Sequence, residues 1–148
     1  MSRRSIHLLA AVAAVAVTVL LAGCSGASSS LTTTNAWARP GATGGDSAAY
    51  LTITNTGTAP DTLVSASSPA AGSVELHESA TDATGMTGMH RIDGVEIPAG
   101  GSVTLEPGAK HLMVMGLTTD LTTGGTLDLD LVFKNAGTVK VKAEVKQP

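Results

Sequence analysis

Two runs near the end of the chain leave little freedom in what they can form. From Thr126 to Phe133, Leu127, Leu129, Leu131 and Phe133 alternate with Thr126, Asp128, Asp130 and Val132. From Thr138 to Lys146, Val139, Val141, Ala143 and Val145 alternate with Lys140, Lys142, Glu144 and Lys146. A period of two puts the apolar set on one face of a strand and the polar set on the other, whereas a helix would scatter both around its axis. Asn135-Ala136-Gly137 lies between the runs and has turn chemistry. The runs are therefore expected to pair as a hairpin, with Asp opposite Lys on the solvent face.

The rest of the chain after residue 24 reads the same way. Strands are expected at Ala36–Arg39 (closed by Pro40), Ser47–Thr54, Asp61–Ala66, Ser73–Glu78, Met89–Ile92, Ser102–Leu105 and His111–Leu117. Turn residues separate them: Gly41 to Asp46, Asn55-Thr56-Gly57, Pro69 to Gly72, Pro98-Ala99-Gly100-Gly101 and Glu106-Pro107-Gly108. No segment there has a helical period. Seven to nine short strands with such punctuation indicate an all-β, immunoglobulin-like antiparallel β-sandwich. Aromatic residues are few, so Leu, Val and Ile must fill its core.

The first residues belong to a different class. Ser2-Arg3-Arg4 is positive, Leu8 to Leu21 is apolar apart from Thr18, and Leu21-Ala22-Gly23-Cys24 follows. That order describes a secretory signal, and the apolar run is short for a membrane span. Leu-Ala-Gly-Cys resembles a bacterial lipobox, which implies cleavage before Cys24 and lipidation of its thiol. The expected organisation is a lipoprotein signal peptide at 1–23, a lipidated flexible tether at 24–34 and a β-sandwich domain at 35–148. The protein would be exported and held through Cys24 on the outer face of the cell membrane or facing a periplasm. Two or more acyl chains would make that anchoring stable.

Charge and cysteine content exclude several functions. All twelve acidic residues follow Cys24, against seven basic ones, which leaves −5 in the exported part. Nucleic acid is not expected as a partner, since a basic face is its usual footprint. Cys24 is the single cysteine. The domain therefore has no disulfide, no nucleophilic thiol, no Cys₄ zinc site and no thiolate for a blue-copper centre.

The chemistry concentrates in His111-Leu112-Met113-Val114-Met115. On a strand, Leu112 and Val114 take the core face, and His111, Met113 and Met115 take the other. His77 lies on the polar face of its strand, and Met89 follows a glycine-bearing loop. Imidazole nitrogen with thioether sulfur, free of carboxylate, is a donor set that suits Cu(I). Outside the cytoplasm thioethers also escape disulfide formation. Against this, Met commonly fills gaps in cores and an isolated His is commonly structural. Met86 offers an alternative to Met89, and Met115 stands beside Met113; both are auxiliary candidates. His90 is expected to point away from Met89.

The spacing resembles that of the periplasmic copper chaperones called PCuAC. Their motif is a His, one residue that is often Met, ten residues, a Met, twenty-one residues, then His-x-Met. Here His77 and Glu78 are followed by the ten residues Ser79–Gly88, Met89, the twenty-one residues His90–Lys110, and His111-Leu112-Met113. The resemblance also covers Trp37-Ala38-Arg39-Pro40, Ala49 to Asn55, Val74 to His77 and Ile97 to Gly101. It implies a cupredoxin-like β-sandwich that binds one Cu(I) through His77, Met89, His111 and Met113. It also implies delivery to a copper-acceptor protein, the Cu(A) subunit of cytochrome c oxidase or its assembly factor. Glu78 stands where many members have a second Met. The chain ends Val145-Lys146-Gln147-Pro148, without the His/Met-rich tail of some members, so one principal site is expected.

Two other functions fit the same residues: a copper tolerance or storage lipoprotein, and a metal-free immunoglobulin-like module that binds protein. Enzyme readings lack their parts. No G-x-S-x-G motif is present, and no nucleophile, base and orienting group fall into a recognisable set. A monomeric non-enzyme is expected.

Overall fold

The C-terminal hairpin forms in the expected register in a computed structural model that describes residues 27–148. The expected signal peptide and Cys24 lie outside the described residues. The strands in chain order are β1 (Leu31–Ala38), β2 (Ser47–Asn55), β3 (Asp61–Ser67), β4 (Ala71–Thr81), β5 (Thr87–Arg91), β6 (Val95–Ile97), β7 (Ser102–Leu105), β8 (Lys110–Leu117), β9 (Thr126–Phe133) and β10 (Gly137–Val145). There is no helix among the described residues. In the hairpin, Lys140 faces Asp130 and Lys142 faces Asp128, with Nζ–Oδ1 distances of 2.9 and 2.6 Å. The other face of β9 buries Leu127, Leu129, Leu131 and Phe133.

The strands lie in the order β5-β4-β8-β2-β1-β10-β9-β3-β6, and β7 adds to β2. A bridge from Ala66 on β3 to Val74 on β4 returns the sheet upon itself, so the two layers are continuous at their edges. All pairs are antiparallel except β1 with β10. Leu51, Ile53, Leu63, Leu112, Leu129 and Leu131 lie at the centre with almost no exposure. Ten strands form rather than seven to nine, because Val95–Ile97, not expected as a strand, pairs with β3 as β6.

Order begins earlier than Asn35. Leu31 to Thr34 pair with Ile53–Asn55 and Thr52 of β2, and Ser28 and Ser30 accept hydrogen bonds from Thr58 and Thr56. The Ser/Thr composition that reads as a tether also suits a strand, since Thr is β-branched. A partner edge far along the chain decides between the two. Asn35 takes φ 54° where the register shifts between Thr34 and Trp37, a conformation Asn tolerates better than most residues. Asn55 and Asp61 fasten this end. Asn55 is fully buried; its Oδ1 accepts from the Ser30 and Gly57 N–H groups, and its Nδ2 donates to the Ala59 and Ile97 carbonyls.

Candidate metal centre

Neighbouring strands β5, β4, β8 and β2 carry the candidate residues on one side of the sheet. His77 is the cross-strand partner of His111 and also of Arg91, Glu75 is that of Met113, and Ser79 is that of Met89. Met113 in turn pairs with Ala48 of β2. Met89, His111 and Met113 line one open groove of about 360 Å³, together with Arg39, Ser47 and Tyr50 among others. His77 is not part of that lining. Its ring centre lies 6.0 Å from that of His111. A nitrogen about 2 Å from a metal ion puts its ring centre about 3 Å away, so two rings at this separation can share one ion. Met86 and Met115 do not line the groove.

The turn before β8 fixes the His111 ring. Glu106-Pro107-Gly108-Ala109 has Pro and Gly at its two central positions, with Gly108 at φ 79°. The Ala109 N–H bonds the Glu106 carbonyl at 3.1 Å. This is the chemistry of a type II turn. The Ala109 carbonyl lies 3.0 Å from His111 Nδ1. A carbonyl only accepts, so Nδ1 carries a proton, and in the neutral ring Nε2 presents a lone pair. That lone pair faces Met89 Sδ at 3.2 Å. Two electron-pair donors aimed at each other form a poor contact by themselves and a good seat for a soft cation.

His77 is set the opposite way. Its Nε2 lies 3.0 Å from Glu75 Oε2, and Arg91 Nη1 lies 3.4 Å from Glu75 Oε1. The hydrogen bond from His77, and then the Arg91 charge, hold the Glu75 carboxyl below its ordinary range. An ionised carboxylate accepts, so Nε2 is the protonated nitrogen of His77. Nδ1 is buried and has no hydrogen-bond partner, alone in this among the described side-chain atoms. Such an orphan is uncommon and calls for an explanation. Each ring thus gives one nitrogen to a protein acceptor and leaves the other open, the usual arrangement of metal-binding histidines.

Burial at the site differs from the alternation argument in one respect. His111 is only 5% exposed although it lies opposite the core face. Tyr50 covers it, with ring centres 6.3 Å apart, and Trp37 covers Tyr50 at 4.4 Å. Arg39 lies over the Tyr50 ring at 5.8 Å. Leu112 and Val114 are fully buried on the core face, as expected. His90 has turned away from the groove, and its Nε2 is 3.8 Å from Glu78 Oε2. Glu78, in the place of the second Met, bonds Lys110 Nζ at 2.8 Å, which holds its carboxyl below the ordinary range. Reasoning from the sequence did not assign Tyr50, the Ala109 carbonyl or a tautomer-setting role to Glu75. The available signals were the lone Tyr on a face shared with Ala48, and a Glu two residues from a His on one strand face. Among the described residues no group of three or more His, Cys, Asp or Glu is placed to hold a metal.

Residues 31–145 match the family described as "Putative lipoprotein LpqE-like". A protein of Leifsonia xyli subsp. xyli (strain CTCB07), described as "Putative lipoprotein Lxx21020", is 37% identical over 111 residues, 75% of this chain. The chain spans about 66% of that relative's length. Among solved structures, the copper-bound PCuAC domain from PmoF2 is 26% identical with a TM-score of 0.67, over 80% of this chain and 93% of that one. The Cu(I) form of DR1885 from Deinococcus radiodurans is 36% identical with a TM-score of 0.57, over 75% and 76%. The fold is therefore the all-β, cupredoxin-like one of the PCuAC domains. On the match across β1 to β10, the chain belongs to the LpqE-like family.

Proposed function

We propose that this protein is an exported Cu(I)-binding metallochaperone that takes up one ion through His77 Nδ1, His111 Nε2, Met89 Sδ and the Met113 thioether. The observation that carries this reading is the pair of histidines. Each is locked by one nitrogen and open at the other, and they stand beside two thioethers. The copper-bound domain from PmoF2 and the Cu(I) form of DR1885 have the same fold, which supports the choice of ion. All four donors are neutral, so the ion keeps its charge and Glu75 offsets part of it. No ligand changes protonation on binding, and the ion is taken up and released by ligand exchange without a reaction. A signal peptide at 1–23, lipidation of Cys24 and attachment to the outer face of the membrane complete the reading, supported by the lipoprotein description of the family.

The test is a competition titration of the full-length protein in detergent with Cu(I) and a coloured chelator, under reducing, oxygen-free conditions. One tightly held ion is expected, weakened about tenfold or more by His77→Ala or by Met113→Ala. Copper left wholly on the chelator defeats the reading. The acceptor is proposed to be the Cu(A) subunit of cytochrome c oxidase or its assembly factor. Cells without this protein should then lose oxidase activity when copper is scarce. Normal oxidase activity with heightened copper sensitivity would point to tolerance instead.

A further inference from the structure

The β4–β5 hairpin carries a second group of soft donors that the four-ligand centre does not use. Among the described residues, the large apolar side chains left exposed are Val64, Met86 at 71% and Met89 at 54%. Both methionines are on this hairpin. β5 is exposed along its whole length and ends the strand order, with β4 as its neighbour. Burying a methionine is favourable and leaving one in water forgoes that gain, so two on one small hairpin ask for a reason.

Their placement follows from the pairing. Met89 pairs with Ser79 and faces His111, while His90 pairs with Glu78 and Gly88 with Ala80 on the opposite face. Met86 precedes the strand with the parity of Gly88 and His90. Gly88 lies between them without a side chain, and a Cβ there would meet nothing within 4 Å. Met86 and His90 thus flank an open position. With Gly88 and Met89 they border a shallow hollow of about 350 Å³. Met89 borders both this hollow and the groove that holds His111 and Met113.

The turn fixes the backbone and leaves the thioether free. Asp82 Oδ1 accepts from the N–H groups of Thr84 and Met86, and the Asp82 N–H donates to the Met86 carbonyl. The Met86 side chain then moves on its own three rotatable bonds. Glu78, the carboxylate nearest His90, is engaged by Lys110 at 2.8 Å, so the donors left on this face are a thioether and an imidazole.

We infer that Met86 and His90 form an outer, weaker Cu(I) station, from which the ion passes to and from the inner centre by way of Met89, whose side chain borders both hollows. This deepens the metallochaperone reading and rests on it. The exchange keeps the copper monovalent: the ion leaves Met86 and His90 for Met89 Sδ and is then taken up by His77, His111 and Met113, one ligand replacing another at each step. Exposure and the smaller donor set make the outer station the looser one.

The test uses full-length protein with ¹³C-labelled methionine methyl groups, and Ag(I) as a redox-inert stand-in for Cu(I). The first equivalent should shift Met89 and Met113, and the second should shift Met86. The variant Met86→Leu with His90→Gln should hold its first Cu(I) as tightly as the parent. It should release that ion to a chelator about threefold or more slowly in stopped flow. A Met86 methyl unmoved by the second equivalent, or release from the double variant at the parental rate, overturns the outer station and leaves the inner centre standing. A parent protein that holds no first equivalent overturns both.

Discussion

Glu75 acts on the candidate centre without belonging to it. By accepting from His77 Nε2 it makes Nδ1 the open nitrogen. Glu75→Gln puts an amide in its place, which can donate to that nitrogen and favour the wrong tautomer. Cu(I) affinity is expected to fall about tenfold or more, measured by chelator competition. The urea midpoint should move little, since Glu75 is only half-buried and its pairing with Arg91 is a surface one. At this scale the sequence was legible in part. Alternation separated His111 and Met113 from Leu112 and Val114, and it turned His90 away from Met89. It could not foresee that His111 is covered. That burial comes from Tyr50 and Trp37 on β2 and β1, and local periodicity carries no information on such distant neighbours.

Between residue and fold, the turn into β8 has a structural and a chemical role. Gly108 sits at φ 79°, with open space where a Cβ would go. A substitution there meets backbone strain and no steric clash. Gly108→Ala is therefore expected to cost about 1–2 kcal/mol of stability, read from chemical denaturation. It should also weaken Cu(I) binding, because the Ala109 carbonyl that orients His111 moves with the turn. Strand identities were largely readable, since period-two patterns and Gly/Pro punctuation are local signals. The extent of β1 was not. Leu31 to Thr34 become strand because the edge of β2 is available to them, and composition alone gives the same residues the look of a spacer.

Across the whole molecule, Asp61 joins three separate stretches of chain. It is 1% exposed and accepts from Ser29 Oγ and from the N–H groups of Thr62, Asn135 and Ala136 at 2.6–2.9 Å. Burial opposes its charge, but these hydrogen bonds outweigh that and hold its carboxyl below the ordinary range. A lowered folded-state value adds stability that is present above the usual carboxylate pKa and is lost as the pH falls through the lowered one. The urea midpoint of the parent should therefore drop in acid below about pH 4. Asp61→Asn should be less stable by about 1–3 kcal/mol at neutral pH and should show a shallower acid decline. An unchanged acid slope in the variant would assign that decline to other carboxylates.

The fastening of Ser28 and Ser30 to the β2–β3 turn bears on how the domain stands on a membrane. With a lipid on Cys24, four residues separate the acyl chains from Ser28, a leash of about 14 Å at full stretch. The leash enters at the Asn55 end of β2, while the groove opens near Ala48, seven residues and about 24 Å away along the strand. A lipid anchor at Cys24 and an ion in the groove would therefore occupy opposite poles of a stiff strut. Standing upright on such an anchor, the domain would hold its ion well clear of the lipid headgroups. For that geometry, a partner in the same bilayer would have to raise its own receiving site to a similar height, and one lying flush with the surface would be out of reach.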